Sequence, residues 1–202
     1  MLLNHELSRG IWDISMKLIL IDGGPASGKN TLGTLLVQKF TEPSNKFILL
    51  DLDVYVEEIN PSWIWEDKQT KRIDQQKARE NFAQDIDKYL QRGFSVIAIG
   101  ERFLTKEDIV NFIKRLKVTC ATYYLYHLSP PLELRKQRLE QRGPCSLIDL
   151  EKDQRERDSN AKWYGFVYEN INSPIEDAEN ILGLIQKDEG LLDPAFFSER
   201  ED

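Results

Sequence analysis

Gly23 and Gly28 stand five residues apart, with Lys29 directly beyond, in the stretch Gly23-Gly24-Pro25-Ala26-Ser27-Gly28-Lys29-Asn30-Thr31. Glycines at this spacing let a backbone turn back on itself so that its amides converge, and the lysine adds a full positive charge. That combination suits a phosphate group. The flanks agree: Leu18-Ile19-Leu20-Ile21 reads as a short buried strand, and Thr31 to Phe40 reads as a helix. A helix that starts at such a loop contributes about half a positive charge from its N-terminus. The spacing G-x-x-x-x-G-K is filled with one departure, because Asn30 occupies the position where a Ser or Thr hydroxyl ordinarily meets magnesium.

A second set of groups could work beside this loop. Asp51 and Asp53 lie two apart at the end of the apolar stretch Lys46 to Asp53. On extended backbone both would point to one side, about 6–7 Å apart. Phosphoryl transfer needs one group to hold magnesium through water and another to accept the proton of the attacking hydroxyl. The other use of such a pair is to cap the next turn. Arg135, Arg138 and Arg142 share one helix face, and Arg155 and Arg157 follow in a strongly charged stretch. Trp63 and Trp65 are expected to pack a helix onto the sheet, with Arg79 nearby as a cation. His5 and His127 have no partner spacing for a metal or a triad, and His127 is expected only to end a strand.

These residues need elements to hold them. After the loop helix, Lys46 to Asp53 predicts a second strand, and Glu66 to Arg92 predicts one long helix or two, ending at Gly93. Phe94 to Ile99 predicts a third strand, followed by a helix that Thr105 caps with Asp108 in its first turn. Val118 to Leu125 predicts a fourth strand, and Pro130 to Gln141 a helix entered through Ser129. Phe166 to Ile171 predicts a fifth strand. The last helix starts at Ser173-Pro174-Ile175-Glu176, with a capping serine, a first-turn proline and a returning glutamate. Strands alternating with helices indicate an α/β protein with a mainly parallel five-stranded sheet covered on both faces.

At 202 residues, 41% hydrophobic and 30% charged, the chain suits one soluble domain. Its net charge of −7 argues against general attraction to nucleic acid or an anionic membrane. No apolar run approaches the roughly 18 residues that span a bilayer. Cys120 and Cys145 are too few for a disulfide framework or a zinc site, so a cytoplasmic location is expected. The expected organisation is an N-terminal extension over 1–15, a domain over 16–190 and an acidic tail over 191–202. A monomer or a homodimer is expected.

The loop resembles the Walker A loop of P-loop kinases, in the adenylate-kinase-type form G-G-P-x-S-G-K-x-T. The resemblance implies a three-layer α/β/α P-loop NTPase fold, with ATP and magnesium as cofactors. It makes Gly23 to Thr31 the nucleotide-binding loop, Lys29 a catalytic cation, Thr31 the magnesium-side hydroxyl and Asn30 a bystander. Leu-Leu-Asp-Leu-Asp-Val-Tyr-Val-Glu-Glu resembles the Asp-x-Asp segment of shikimate- and gluconate-type kinases, which assigns Asp51 to the metal and Asp53 to the acceptor as base. Adenylate-kinase-like enzymes place an arginine after the third strand, which makes Arg102 an acceptor-binding residue and Glu101 a metal-side or hydroxyl-binding group. The stretch from Tyr124 to Gly143 resembles the strand, helix and arginine-bearing lid of these kinases. The implied lid covers about 142–160, with Arg138 and Arg142 as transition-state cations. The implied reaction moves the γ-phosphoryl group of ATP to a hydroxyl or phosphate of a small-molecule acceptor. Two alternatives stand beside it: a nucleotide or nucleotide-sugar kinase of the nucleoside monophosphate or zeta-toxin type, and a non-catalytic ATP-binding regulatory module.

Overall fold

Leu18, Ile19, Leu20 and Ile21 have no solvent exposure, and they form the middle of strand β1 (Lys17–Gly23). A strand buried on both faces belongs at the centre of a parallel sheet. The computed structural model, which describes residues 16–40, 46–118, 121–143, 148–159, 164–193 and 196, places β1 there. Around it lie β2 (Phe47–Asp51), β3 (Ser95–Ile99), β4 (Thr122–Leu128) and β5 (Phe166–Tyr168), in the order β2-β3-β1-β4-β5. All four strand pairings are parallel.

The period of two along β1 divides the core into two layers. Leu18 and Leu20 face a cluster with α2 (Leu52–Ile59), α3 (Lys68–Gln91) and α4 (Lys106–Ile113). Ile19 and Ile21 face the opposite cluster with α1 (Lys29–Phe40) and α7 (Pro174–Gln186). The remaining helices, α5 (Leu132–Gln141) and α6 (Leu150–Ser159), cover the carboxyl end of the sheet. The expected α/β/α arrangement is therefore present.

Several boundaries differ from the sequence reading, each for a local reason. The second strand stops at Asp51, whose side chain accepts from the Asp53 N–H and so caps α2, a helix the sequence reading did not separate. Glu66 to Arg92 becomes a single helix from Lys68, capped by Asp67 and preceded by one tight turn at Trp63–Trp65. β4 starts at Thr122 rather than Val118, because Val118 instead gives its N–H to Asp87 of α3. Helix α5 begins after Pro131, with no side-chain cap from Ser129. β5 ends at Tyr168, because Asn170 takes a left-handed backbone with φ of 38°. The capping boxes of Thr105–Asp108 and Ser173–Glu176 form as expected. The expectations for residues 1–15, Cys120, Cys145, most of the tail, and 144–147 and 160 of the expected lid lie outside the described residues.

Candidate active site

The loop from Gly23 to Lys29 leaves the central strand at the carboxyl edge of the sheet, where neighbouring loops diverge and leave a crevice. A cleft there is lined by Gly23 to Asn30, with Asp53, Gly100, Arg102, Arg142, Asp153 and Arg157 around it. Gly28 has φ of 98°, a backbone that glycine adopts without strain. Lys29 donates from Nζ to the carbonyls of Gly23 at 2.7 Å and Gly24 at 3.2 Å, so its ammonium lies across the mouth of the loop. Burial lowers the Lys29 pKa, against the opposing charge of Asp22. Ser27 Oγ is buried and has no hydrogen-bond partner among the described residues. A buried orphan hydroxyl inside a loop of converging amides is a donor in want of an anion.

Asp51 and Asp53 flank this cleft, but not as two positions on one strand. Asp51 ends β2 and Asp53 opens α2, so a strand-to-helix junction separates them. Asp51 Oδ2 accepts from Asn30 Nδ2 at 2.6 Å, and its Oδ1 accepts from the Asp53 N–H at 3.1 Å. Asn30 thus makes a contact that the sequence does not reveal. It stands against the carboxylate expected to serve the metal, while Thr31 lines a neighbouring cavity. Desolvation within the cleft raises the Asp53 carboxyl above its ordinary value; the Asp51 charge adds to this and Lys29 opposes it.

Among the described residues no group of three or more His, Cys, Asp or Glu side chains is gathered to hold a metal ion. Magnesium that arrives with a nucleotide needs only one or two protein carboxylates, because phosphate oxygens and water complete its shell. The donors here, Asp51 with Asn30 beside it, fit that requirement.

The arginines divide by their partners. Arg135 is 2% exposed and donates to Pro25 O at 3.0 Å, Gln154 Oε1 at 3.0 Å and Asp153 Oδ2 at 2.6 Å. Arg157 donates to both oxygens of Asp22, at 3.2 and 3.1 Å, and to Asp153 Oδ2 at 3.3 Å. These two pairings press α6 onto the loop. A Cβ at Gly24 would run into Asp153 Oδ2 and Arg135 Nη2, so any side chain there must push this pair aside. Arg102 reaches Asp153 Oδ1 and Glu156 Oε2, each at 3.3 Å, from the rim of the cleft. Arg138 donates to the carbonyls of Ser27 at 3.2 Å and Asn170 at 2.9 Å, so it braces the loop from outside. Arg142 lines both the cleft and the neighbouring cavity. Arg155 is exposed on α6.

Some expectations change. Arg79 and Glu101 pair with each other, Arg79 Nε lying 2.9 and 3.0 Å from the two carboxylate oxygens, so each charge already has a partner. Burial raises the Glu101 carboxyl, and Arg79 counters this only in part. Trp63 packs against the core as expected, but Trp65 is 75% exposed. His127 does more than end its strand. Its Nδ1 lies 3.0 Å from Asp22 Oδ2 and its Nε2 2.7 Å from Tyr164 O, with His127 and Asp22 buried behind the loop. The sequence reading missed Asp22 altogether, although an aspartate at the end of an otherwise apolar central strand is itself a signal of a paired buried charge.

The AAA domain family model matches residues 18–164. The chain belongs to the AAA domain family. The resemblance to P-loop kinases of the adenylate-kinase-like type is borne out at the level of family and fold. Among solved structures, a sugar kinase from a Janibacter species is 16% identical with a TM-score of 0.59, covering 90% of this chain and 98% of that one. A shikimate kinase from Acinetobacter baumannii is 20% identical with a TM-score of 0.54, covering 86% and 94%. A tunicamycin resistance protein of Deinococcus radiodurans is 12% identical with a TM-score of 0.61, covering 89% and 99%. Comparison with curated proteins gives no match. Among the described residues no helix of this AAA domain protein is long and apolar enough to cross a membrane.

Proposed function

We propose that this protein is an ATP-dependent kinase that transfers the γ-phosphoryl group to a hydroxyl of a small-molecule acceptor. The observation that carries this reading is the cleft, which Lys29, the orphaned Ser27 hydroxyl, Asp53 and Arg102 line together. The kinases among the structural neighbours support the same reaction class.

In this reading the loop amides and Lys29 hold the phosphates, and the ammonium leaves its two carbonyls to do so. Asp51, with Asn30, would hold magnesium through water; the ion supplies charge neutralisation at the phosphate oxygens. Asp53 accepts the proton of the attacking hydroxyl, a role its raised pKa suits because it brings the base closer to neutral pH. Arg102 orients the acceptor at the rim. Arg142 brings guanidinium charge to the transferring group, and α6, as the lid, keeps water away from it.

The test is an acceptor screen that follows ADP release, run beside thermal shifts with magnesium and ATP. Wild type should be stabilised by the nucleotide and Lys29→Ala should not. An unchanged shift in Lys29→Ala overturns the phosphate-loop assignment, and no acceptor raising turnover above slow ATP hydrolysis overturns the kinase reading.

A further inference from the structure

A second cavity opens beside the phosphate loop, lined by Gly28, Thr31, Leu32, Arg138, Pro174 and Asp177 among others. It shares Gly28 and Arg142 with the cleft, so the two adjoin at the phosphate loop. Leu32 and Pro174 offer apolar surface, and the arginines offer planar guanidinium faces on which a base can stack. Such a cavity takes a flat heterocycle. What reads the heterocycle's edge is a separate question, and one buried side chain answers it.

Asp177 is 1% exposed. Its Oδ1 accepts from Tyr168 Oη at 2.6 Å and from Asn172 Nδ2 at 2.9 Å. Its Oδ2, equally buried, has no hydrogen-bond partner among the described residues. Arg138, which lines the same cavity, spends its guanidinium on Ser27 O and Asn170 O. A buried carboxylate oxygen without a donor is costly, and a partner that supplies an N–H recovers that cost. Asp177 lines the cavity together with Gln141 and Arg142, which are exposed and whose side chains make no hydrogen bond among the described residues.

We infer that Asp177 is the specificity-determining residue for the nucleotide base, with Oδ2 accepting an N–H of an amino-bearing purine: N6 of adenine, or N1 and N2 of guanine. This rests on the nucleotide reading above. The geometry also fixes what an amide would do here. Because Oδ1 is held by two donors, the carbonyl of Asp177→Asn must stay at Oδ1, and its NH2 must replace Oδ2. The substitution turns an acceptor into a donor with almost no change of shape.

Calorimetric titration of the full chain, with magnesium and non-hydrolysable triphosphates of adenosine, guanosine and unsubstituted purine riboside, tests this. The purine base carries no N–H at all. Wild type should bind one of the amino-bearing nucleotides at least about tenfold tighter than the purine nucleotide, the worth of one hydrogen bond to a charged group. Whichever of adenine and guanine leads identifies the base. Asp177→Asn should erase or invert that ratio, while Tyr168→Phe, which removes a donor from Oδ1 alone, should preserve it. Equal wild-type affinity for all three overturns the assignment of Asp177 and leaves the nucleotide reading standing. An equal weakening of all three in Asp177→Asn overturns that assignment as well. If Asp177→Asn does not fold, the wild-type ratio decides alone. Wild type binding none of the three overturns the nucleotide reading and this inference with it.

Discussion

Asp51 and Asp53 divide the labour of the cleft because their surroundings differ. Asp51 is committed to Asn30 and to the helix cap, and Asp53 lies beyond the cap with a raised pKa. A carboxylate that is spoken for on both oxygens is a poor base, and one raised by its neighbours is a better one. Asp53→Asn should therefore leave nucleotide affinity within about threefold and lower turnover by at least about a hundredfold, the lower end of what a general base contributes. Asp51→Asn should instead weaken magnesium-dependent nucleotide binding. Steady-state kinetics together with nucleotide titration separates the two, and equal losses in both variants would mean that the roles are not divided this way. Wild-type turnover should also fall on the acid side at a higher pH than an ordinary aspartate would give, since the base must be deprotonated to act.

The elements show why part of this was legible in the chain and part was not. β1 and the loop after it are local patterns, an apolar run and fixed glycine spacing, and both stand where the pattern puts them. α2 was also legible in principle, because Leu52, Val56 and Ile59 repeat at helical spacing behind the cap Asp51; the strand-like run before them obscured it. The clamp of α5 and α6 on the loop was not legible, because Arg157 and Asp22 are 135 residues apart in sequence and nothing local pairs them. That clamp makes Gly24 a contact between elements. In Gly24→Ala the added Cβ must push Arg135 and Asp153 aside, so α6 should lift from the loop. The expected cost is about 1–3 kcal/mol, as for an overpacked site, with nucleotide affinity at least about tenfold weaker. Denaturant melts and titration measure the two effects; wild-type stability in Gly24→Ala would mean that the clamp yields freely.

At the scale of the whole molecule, four parts of the chain converge on one buried charge. Asp22 belongs to the central strand, and it meets His127 from β4, the Phe103 N–H after β3, and Arg157 from α6. Burial alone would raise its carboxyl, but the hydrogen bond with His127 and the charge of Arg157 outweigh burial and hold it well below the usual carboxylate range. Its folded pKa is thus depressed below the unfolded value of about 3.9. The stability it contributes is complete above that value and drains away as pH falls below about 4; raising the pH does not touch it. Denaturant melts of wild type and Asp22→Asn between pH 7 and pH 3 isolate this contribution from that of the other carboxylates. The variant should be about 3–5 kcal/mol less stable at pH 7, because Arg157 keeps its burial and loses a partner. Its further loss on acidification should be shallower than that of wild type, so the two curves converge toward pH 3. Parallel curves would place the acid sensitivity elsewhere, and would reduce Asp22 to a local brace rather than the point that joins the sheet to its lid.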